Sequence, residues 1–407
     1  MTPDTLQHPD ELRDQPVAPR LPLTSLLALT MVSFVVILTE VLPAGLLPQL
    51  AASLNSSQSV MGQLISIYAL GSVLAAIPLA AATQGVGRRT LLLTAMAGFV
   101  IANTITALST SLTLIFVARF LGGVAAGLAW AMLVGYAARM VAPQHKGRAI
   151  AIAMAGTPLA LTVGIPLGTY VGNLVGWRIA FGALSALAAL LMLWIVLRLP
   201  ALRAIPGQQR QRVAQVFALP GVRTVLAVLL LYVVTHNLLY TYIAPLVTLA
   251  GLAPRVDFLL ALFGGAALLS LLLVGALVDR WLRQLVMTST GLFLLASVTL
   301  ALWPGAPAAV YLAVAIWGLA FGGAATLFVT SLSNASGPAQ DVAQSMMTTV
   351  WNLAIFAGSV VGGMLLGQFG AGSFAWVATA TLGVTLLIIW RSRAQCYWRG
   401  AASKLAK

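Results

Sequence analysis

Residues 24–46 read TSLLALTMVSFVVILTEVLPAGL and carry a single charge, Glu40. A helix of about 20 apolar residues crosses a bilayer core of roughly 30 Å, so this stretch predicts a membrane span. Eleven further stretches of the same kind follow, at 60–82, 90–108, 113–137, 148–172, 179–199, 222–249, 257–278, 285–302, 308–333, 341–367 and 372–390. The 407-residue chain is 60% hydrophobic and 7% charged, with a mean hydropathy of +0.99. No water-soluble domain of that length carries such a surface. The expectation is an all-α membrane protein of twelve helices, solvated by lipid.

A net charge of +14 suggests nucleic acid in a soluble protein, so the placement of the 22 basic residues decides its meaning. With the amino terminus inside, 19 fall in segments facing the cytoplasm and only Arg178 and Arg255 in external loops, leaving Arg119 within a span. The positive-inside rule accepts this orientation and rejects its reverse. The basic balance is therefore topology, and no nucleic-acid partner is expected. Residues 1–23 lack the hydrophobic region of a signal peptide and read as a cytoplasmic tail, as do residues 391–407. The lone Cys396 excludes an intrachain disulfide and a cysteine metal site.

Residues 200–221, with Pro200, Pro206, Gly207 and Pro220 among arginines, form the longest polar connection. They divide the chain into two bundles of six, 24–199 and 222–390. Internal repetition agrees. Gly168 and Gly172 recur 195 residues later as Gly363 and Gly367, and the same offset carries Gln84 onto Asp279. Glycines four apart let membrane helices approach closely.

Four motifs resemble the major facilitator superfamily, and the resemblance covers nearly the whole chain. Gly275-Ala-Leu-Val-Asp279-Arg280-Trp-Leu-Arg283 is similar to the family's loop signature after the second and eighth helices; the first-half copy keeps Gly87-Arg88-Arg89 but has Gln84 and Gly85 in place of its Asp and Arg. Residues 115–127, with Arg119, Gly123 and Gly127, resemble the fourth-helix motif of a buried arginine among glycines. Gly164-Ile-Pro166-Leu-Gly168 resembles the fifth-helix antiporter motif. Thr39-Glu-Val-Leu-Pro43-Ala-Gly-Leu-Leu-Pro48 and Tyr240-Thr-Tyr242-Ile-Ala-Pro245 are similar to the first and seventh helices of drug and sugar efflux members. The resemblance implies a drug:proton antiporter or sugar efflux transporter in a bacterial inner membrane. It also implies that the loop signature holds one conformation through charge contacts with neighbouring helix ends.

Of eight acidic residues, four lie in the amino-terminal tail and Asp257, Asp279 and Asp341 at helix ends, so only Glu40 is deep. A charge at the bilayer centre costs about 2.5–3.5 kcal/mol and marks an ion or substrate route. At roughly 1.5 Å per residue, Glu40 and Arg119 both fall about 8–9 Å to the outer side of centre and meet if they face one another. Two readings follow. Glu40 is a proton carrier whose protonation alternates as a cavity opens to either side, or the two residues form a permanent ion pair between helices.

In the family, helices one, four, seven and ten line the cavity, with contributions from two, five, eight and eleven. The polar and aromatic residues of these spans are Tyr68, Trp130, His236, Asn237, Tyr240, Tyr242, Trp317, Trp351 and Asn352. His236, Asn237 and Tyr240 share a helical face suited to a neutral or weakly polar molecule. The scarcity of buried charge argues against a sugar phosphate. An arabinose-like sugar, a thiogalactoside or an amphipathic drug such as chloramphenicol remains.

No Walker loop, metal cluster or nucleophile with a base appears in the sequence, and no ring of charge suggests a channel. The expected function is proton-driven efflux by a monomer without cofactor. Uptake by symport or uniport, and a receptor that transports nothing, are the rivals.

Overall fold

The computed structural model describes residues 21–82, 86–142, 145–202 and 213–392. Gln84, Cys396, most of both expected tails and residues 203–212 of the connection at 200–221 lie outside them. The long elements are α1 (Leu23–Ser53), α2 (Gln58–Ala82), α3 (Arg88–Leu108) and α4 (Leu112–Arg139). A fifth crossing is assembled from α5 (Lys146–Met154), α6 (Gly156–Leu159), a π turn (Ala160–Gly164) and α7 (Ile165–Val175), and α8 (Trp177–Arg198) completes the first six. After the short α9 (Val213–Phe217) come α10 (Pro220–Thr241) with α11 (Ile243–Thr248), α12 (Val256–Leu302), α13 (Pro307–Phe321) with α14 (Ala324–Ser336), α15 (Gln340–Phe369) and α16 (Ser373–Arg391).

Eleven stretches among the described residues are long and apolar enough to cross a bilayer. The twelfth crossing is inside α12. Its 47 residues make about 70 Å of helix, more than twice the bilayer core. Trp281 leaves the helical backbone, at φ −127° and ψ 25°, and the chain doubles back there. Phe263 and Phe293, on either side of the bend, both reach the ring of Trp317, at centroid distances of 5.0 and 5.9 Å. The spans expected at 257–278 and 285–302 are thus two arms of one element. Residues 279–284 contain no Gly or Pro, so helix persists almost to the reversal.

Lipid gives helices no hydrophobic reason to associate, and close packing over small residues holds them instead. Gly123 of α4 rests on the main-chain carbonyl of Tyr68 in α2, and Gly318 of α13 rests on that of Phe263 in α12. Both residues of each contact recur at an offset of 195, so helices two and four pack as helices eight and ten do. The expected equivalence in helices five and eleven is off by one. Gly164 and Gly168 receive Phe34, Leu38 and Leu42 of α1, and the glycines that receive α10 in the same way are Gly358 and Gly362, at an offset of 194. Gly363 instead faces Gln63 and Tyr242. A one-residue difference between helices ten and eleven accounts for the slip.

Side-chain hydrogen bonds between the first six crossings and the last six are confined to one region among the described residues. Ser59 Oγ donates to Gly363 O (2.5 Å), and Gln63 Nε2 donates to Tyr242 Oη (3.0 Å) and Ser359 O (3.2 Å). Tyr242 Oη lies 2.9 Å from Ser359 O and 3.2 Å from Ser59 O. Thr162 Oγ1 donates to Gly264 O (3.1 Å). The seam runs from the end of the bundle that carries Arg178 and Arg255 to about mid-depth.

Candidate functional site

Pro43 sits inside α1. Proline has no amide hydrogen, so the carbonyl four residues before it, that of Thr39, loses its helical donor. Arg119 of α4 supplies another. Its Nη1 donates to Thr39 O (2.6 Å), Nη2 to Glu40 O (3.0 Å) and Nε to Leu64 O of α2 (3.2 Å). The guanidinium lies 4.7 Å from the Tyr68 ring centroid, and the Tyr68 hydroxyl donates to Val36 O (3.1 Å). One cation therefore fastens α1, α2 and α4, with hydrogen bonds of the charge-assisted kind that contribute about 1.5–3 kcal/mol each.

Glu40 and Arg119 are both buried, at 4% and 1% exposure, and Glu40 lies near the middle of α1. The two residues meet, but through the main chain of Glu40. Its carboxylate stays within electrostatic reach of Arg119 and takes no hydrogen bond or ion pair among the described residues. Beside it, Asn103 Nδ2 donates to Thr39 Oγ1 (3.1 Å).

A second group of side chains gathers in the last six crossings. The ring of His236 stacks on Phe321 at 3.4 Å and 6°. It lies 5.1 Å from Tyr240 and 5.4 Å from Trp317, and Tyr240 lies 5.9 Å from Trp317. Phe263 packs against all three. Among the described residues, His236 Nδ1, Tyr240 Oη and Trp317 Nε1 are buried without a hydrogen-bond partner, each a liability of about 1–3 kcal/mol. Three such atoms in one cluster mark a place where something else supplies the bonds.

The other residues named from sequence take diverse places. Trp351 is half-buried at the edge of this cluster, 6.1 Å from Phe321. Asn237 and Asn352, also half-buried, each donate to a carbonyl of their own helix, Val233 O and Thr348 O (both 2.9 Å). Trp130 is half-buried on α4. Tyr68 is taken up by the Arg119 contact and Tyr242 by the seam, so neither presents a free hydroxyl to a cavity in this arrangement.

At the arginine-rich end, the amide of Arg88 donates to Leu202 O (3.1 Å) and Arg89 donates to Val196 O. Asp279 and Arg280 are exposed, and Arg283 Nε has no partner. The charge contacts implied for Asp279 are not made among the described residues. Pro166 opens α7 directly after the π turn, flanked by Gly164 and Gly168. Sequence reasoning missed Asn103, Phe263 and Phe321, and the main-chain carbonyls that Arg119 holds. The signal for the last was present, a proline four residues after Thr39.

The family model described as Major Facilitator Superfamily matches residues 29–340. A chloramphenicol efflux pump of Mycobacterium tuberculosis strain H37Rv is 31% identical over 381 residues, covering 91% of each chain. Among solved structures, a D-xylose–proton symporter superposes with a TM-score of 0.71 at 16% identity, over 91% of this chain and 96% of the other. A human organic anion transporter gives 0.67 at 17% identity, over 92% and 100%.

Proposed function

This chain belongs to the major facilitator superfamily, and we propose that it expels a small neutral or amphipathic organic molecule in exchange for protons, by alternating access. It is a transporter rather than an enzyme. The observation that carries the reading is Glu40, the single acidic residue placed in the middle of a span, buried and with its carboxylate making no hydrogen bond or ion pair among the described residues. A carboxylate locked in an ion pair has no reason to change its protonation. Here each nitrogen of Arg119 donates to a main-chain carbonyl and none donates to the Glu40 carboxylate among the described residues, so the carboxylate neighbours a fixed cation without being bonded to it. Such a group exchanges a proton when water reaches it from one side and then the other.

The basic loops support a reading in which the arginine-rich end and both termini lie on the cytoplasmic side, and the efflux-pump relative supports a bacterial inner membrane. On that reading the seam lies at the external side. The relative's name makes chloramphenicol the first cargo to test; arabinose-like sugars and thiogalactosides fit the same neutral class. The chain works as a monomer on the proton gradient, without a cofactor. Inside-out vesicles with an acid interior test the direction: efflux by antiport accumulates labelled chloramphenicol inside them, and a protonophore abolishes the accumulation. Uptake by symport drives the label the other way, and a receptor moves none.

A further inference from the structure

Two helices of the last six crossings that touch through their rings are each interrupted, at different depths. α10 ends at Thr241 and α11 resumes at Ile243, with Tyr242 between them at φ −110° and ψ 31°. α13 ends at Phe321 and α14 resumes at Ala324, midway along the 30-residue apolar stretch Pro307–Ser336. In hydrocarbon, interrupted helices persist where other groups satisfy the freed backbone or where they border a cavity, and membrane transporters place binding sites at such breaks. The second break is firmly seated, since Gly322 lies on the Ala267 carbonyl and the Gly323 amide donates to Ser270 Oγ (3.1 Å). His236, Tyr240 and Trp317, with their three unpartnered polar atoms, lie between the two interruptions.

We propose that this cluster is the cargo site and that its cargo is an uncharged aromatic compound bearing at least one hydrogen-bond acceptor, not a sugar; the proposal rests on the transport reading above. The indole Nε1 of Trp317 only donates, so the cargo must accept. Tyr240 Oη donates or accepts, and His236 Nδ1 does one or the other according to its tautomer. The remaining wall is ring faces, from Phe263 and Phe321, with no charged side chain among the described residues of the cluster. A sugar carries a hydroxyl on nearly every ring carbon, and each one stripped of water needs a partner. Three polar atoms among this many rings do not meet that demand, and the amide nitrogens of Asn237 and Asn352 already donate to their own helices. A flat ring with two or three polar atoms matches the wall in number and kind. Phe321 and the half-buried Trp351 form its rim, and the Phe321 stack on His236 parts to admit cargo.

The test is direct binding to the full-length chain in lipid nanodiscs, with labelled chloramphenicol as the aromatic probe and arabinose as competitor. Trp317→Phe and Tyr240→Phe each remove one polar atom and keep a ring. Each is expected to weaken the probe about tenfold or more, whereas Trp376→Phe, on the exposed face of α16, leaves it unchanged and arabinose fails to compete. Melting temperature and monodispersity establish that each variant is folded. No probe binding by the wild type, wild-type binding by both cluster variants, or equal competition by arabinose overturns the assignment. Weakened binding in the variants upholds it even if the vesicles show no proton-driven movement, an outcome that removes the antiport reading alone.

Discussion

Pro43 withholds a hydrogen from Thr39, and a guanidinium 80 residues further along the chain replaces it. This exchange argues a coupled prediction at residue scale. Arg119→Lys keeps the charge but cannot reach three carbonyls in three directions, and it is expected to cost about 3 kcal/mol of stability in detergent. In a Pro43→Ala background the helix regains its own donor to Thr39, so the same substitution costs about 1 kcal/mol less. Unfolding of the four proteins as a double-mutant cycle checks the difference. Glu40 and Arg119 were legible in the sequence as the two deep charges, and their depths brought them together. Their atoms were not legible from charge alone, because attraction between opposite signs hides the stronger demand of an orphaned carbonyl.

At the scale of elements, the helices are held by what their glycines leave out. A methyl group at Gly123 or Gly318 meets a main-chain carbonyl of the neighbouring helix, which cannot swing aside as a side chain does. Gly123→Ala and Gly318→Ala are each expected to lose about 3 kcal/mol, the upper end of ordinary overpacking, while Gly182→Ala, with open space around it, changes thermal stability little. Thermal melts of the three variants in one detergent measure the contrast. The span pattern and the offset of 195 were enough to align helices two and four with eight and ten. They failed at helix eleven, where a single residue shifts which glycines face α10. The turn at Trp281 falls in the gap expected between the spans at 257–278 and 285–302; what hydropathy did not show is that helix runs almost up to it, since residues 279–284 carry charge without a helix breaker.

The whole molecule uses one scaffold twice with different chemistry. At the offset of 195, Tyr68 corresponds to Phe263, Arg119 to Val314 and Gly122 to Trp317. The first six crossings thus hold the charges, and the last six hold the aromatic rings with their unpartnered polar atoms. On the proposed reading the former exchange protons and the latter hold cargo, and the hydrogen-bonded seam joins them. Twelve crossings followed from hydropathy, while the orientation expected from arginine placement is part of the proposed reading. The division of labour needed the structure, because which polar atoms lack partners depends on packing between helices distant in sequence. Reconstituted liposomes with an acid interior, containing either wild type or Glu40→Gln of equal melting temperature, give the most direct test. The account predicts that the wild type accumulates labelled chloramphenicol above equilibrium while the variant only equilibrates it; accumulation by Glu40→Gln to the wild-type level contradicts it.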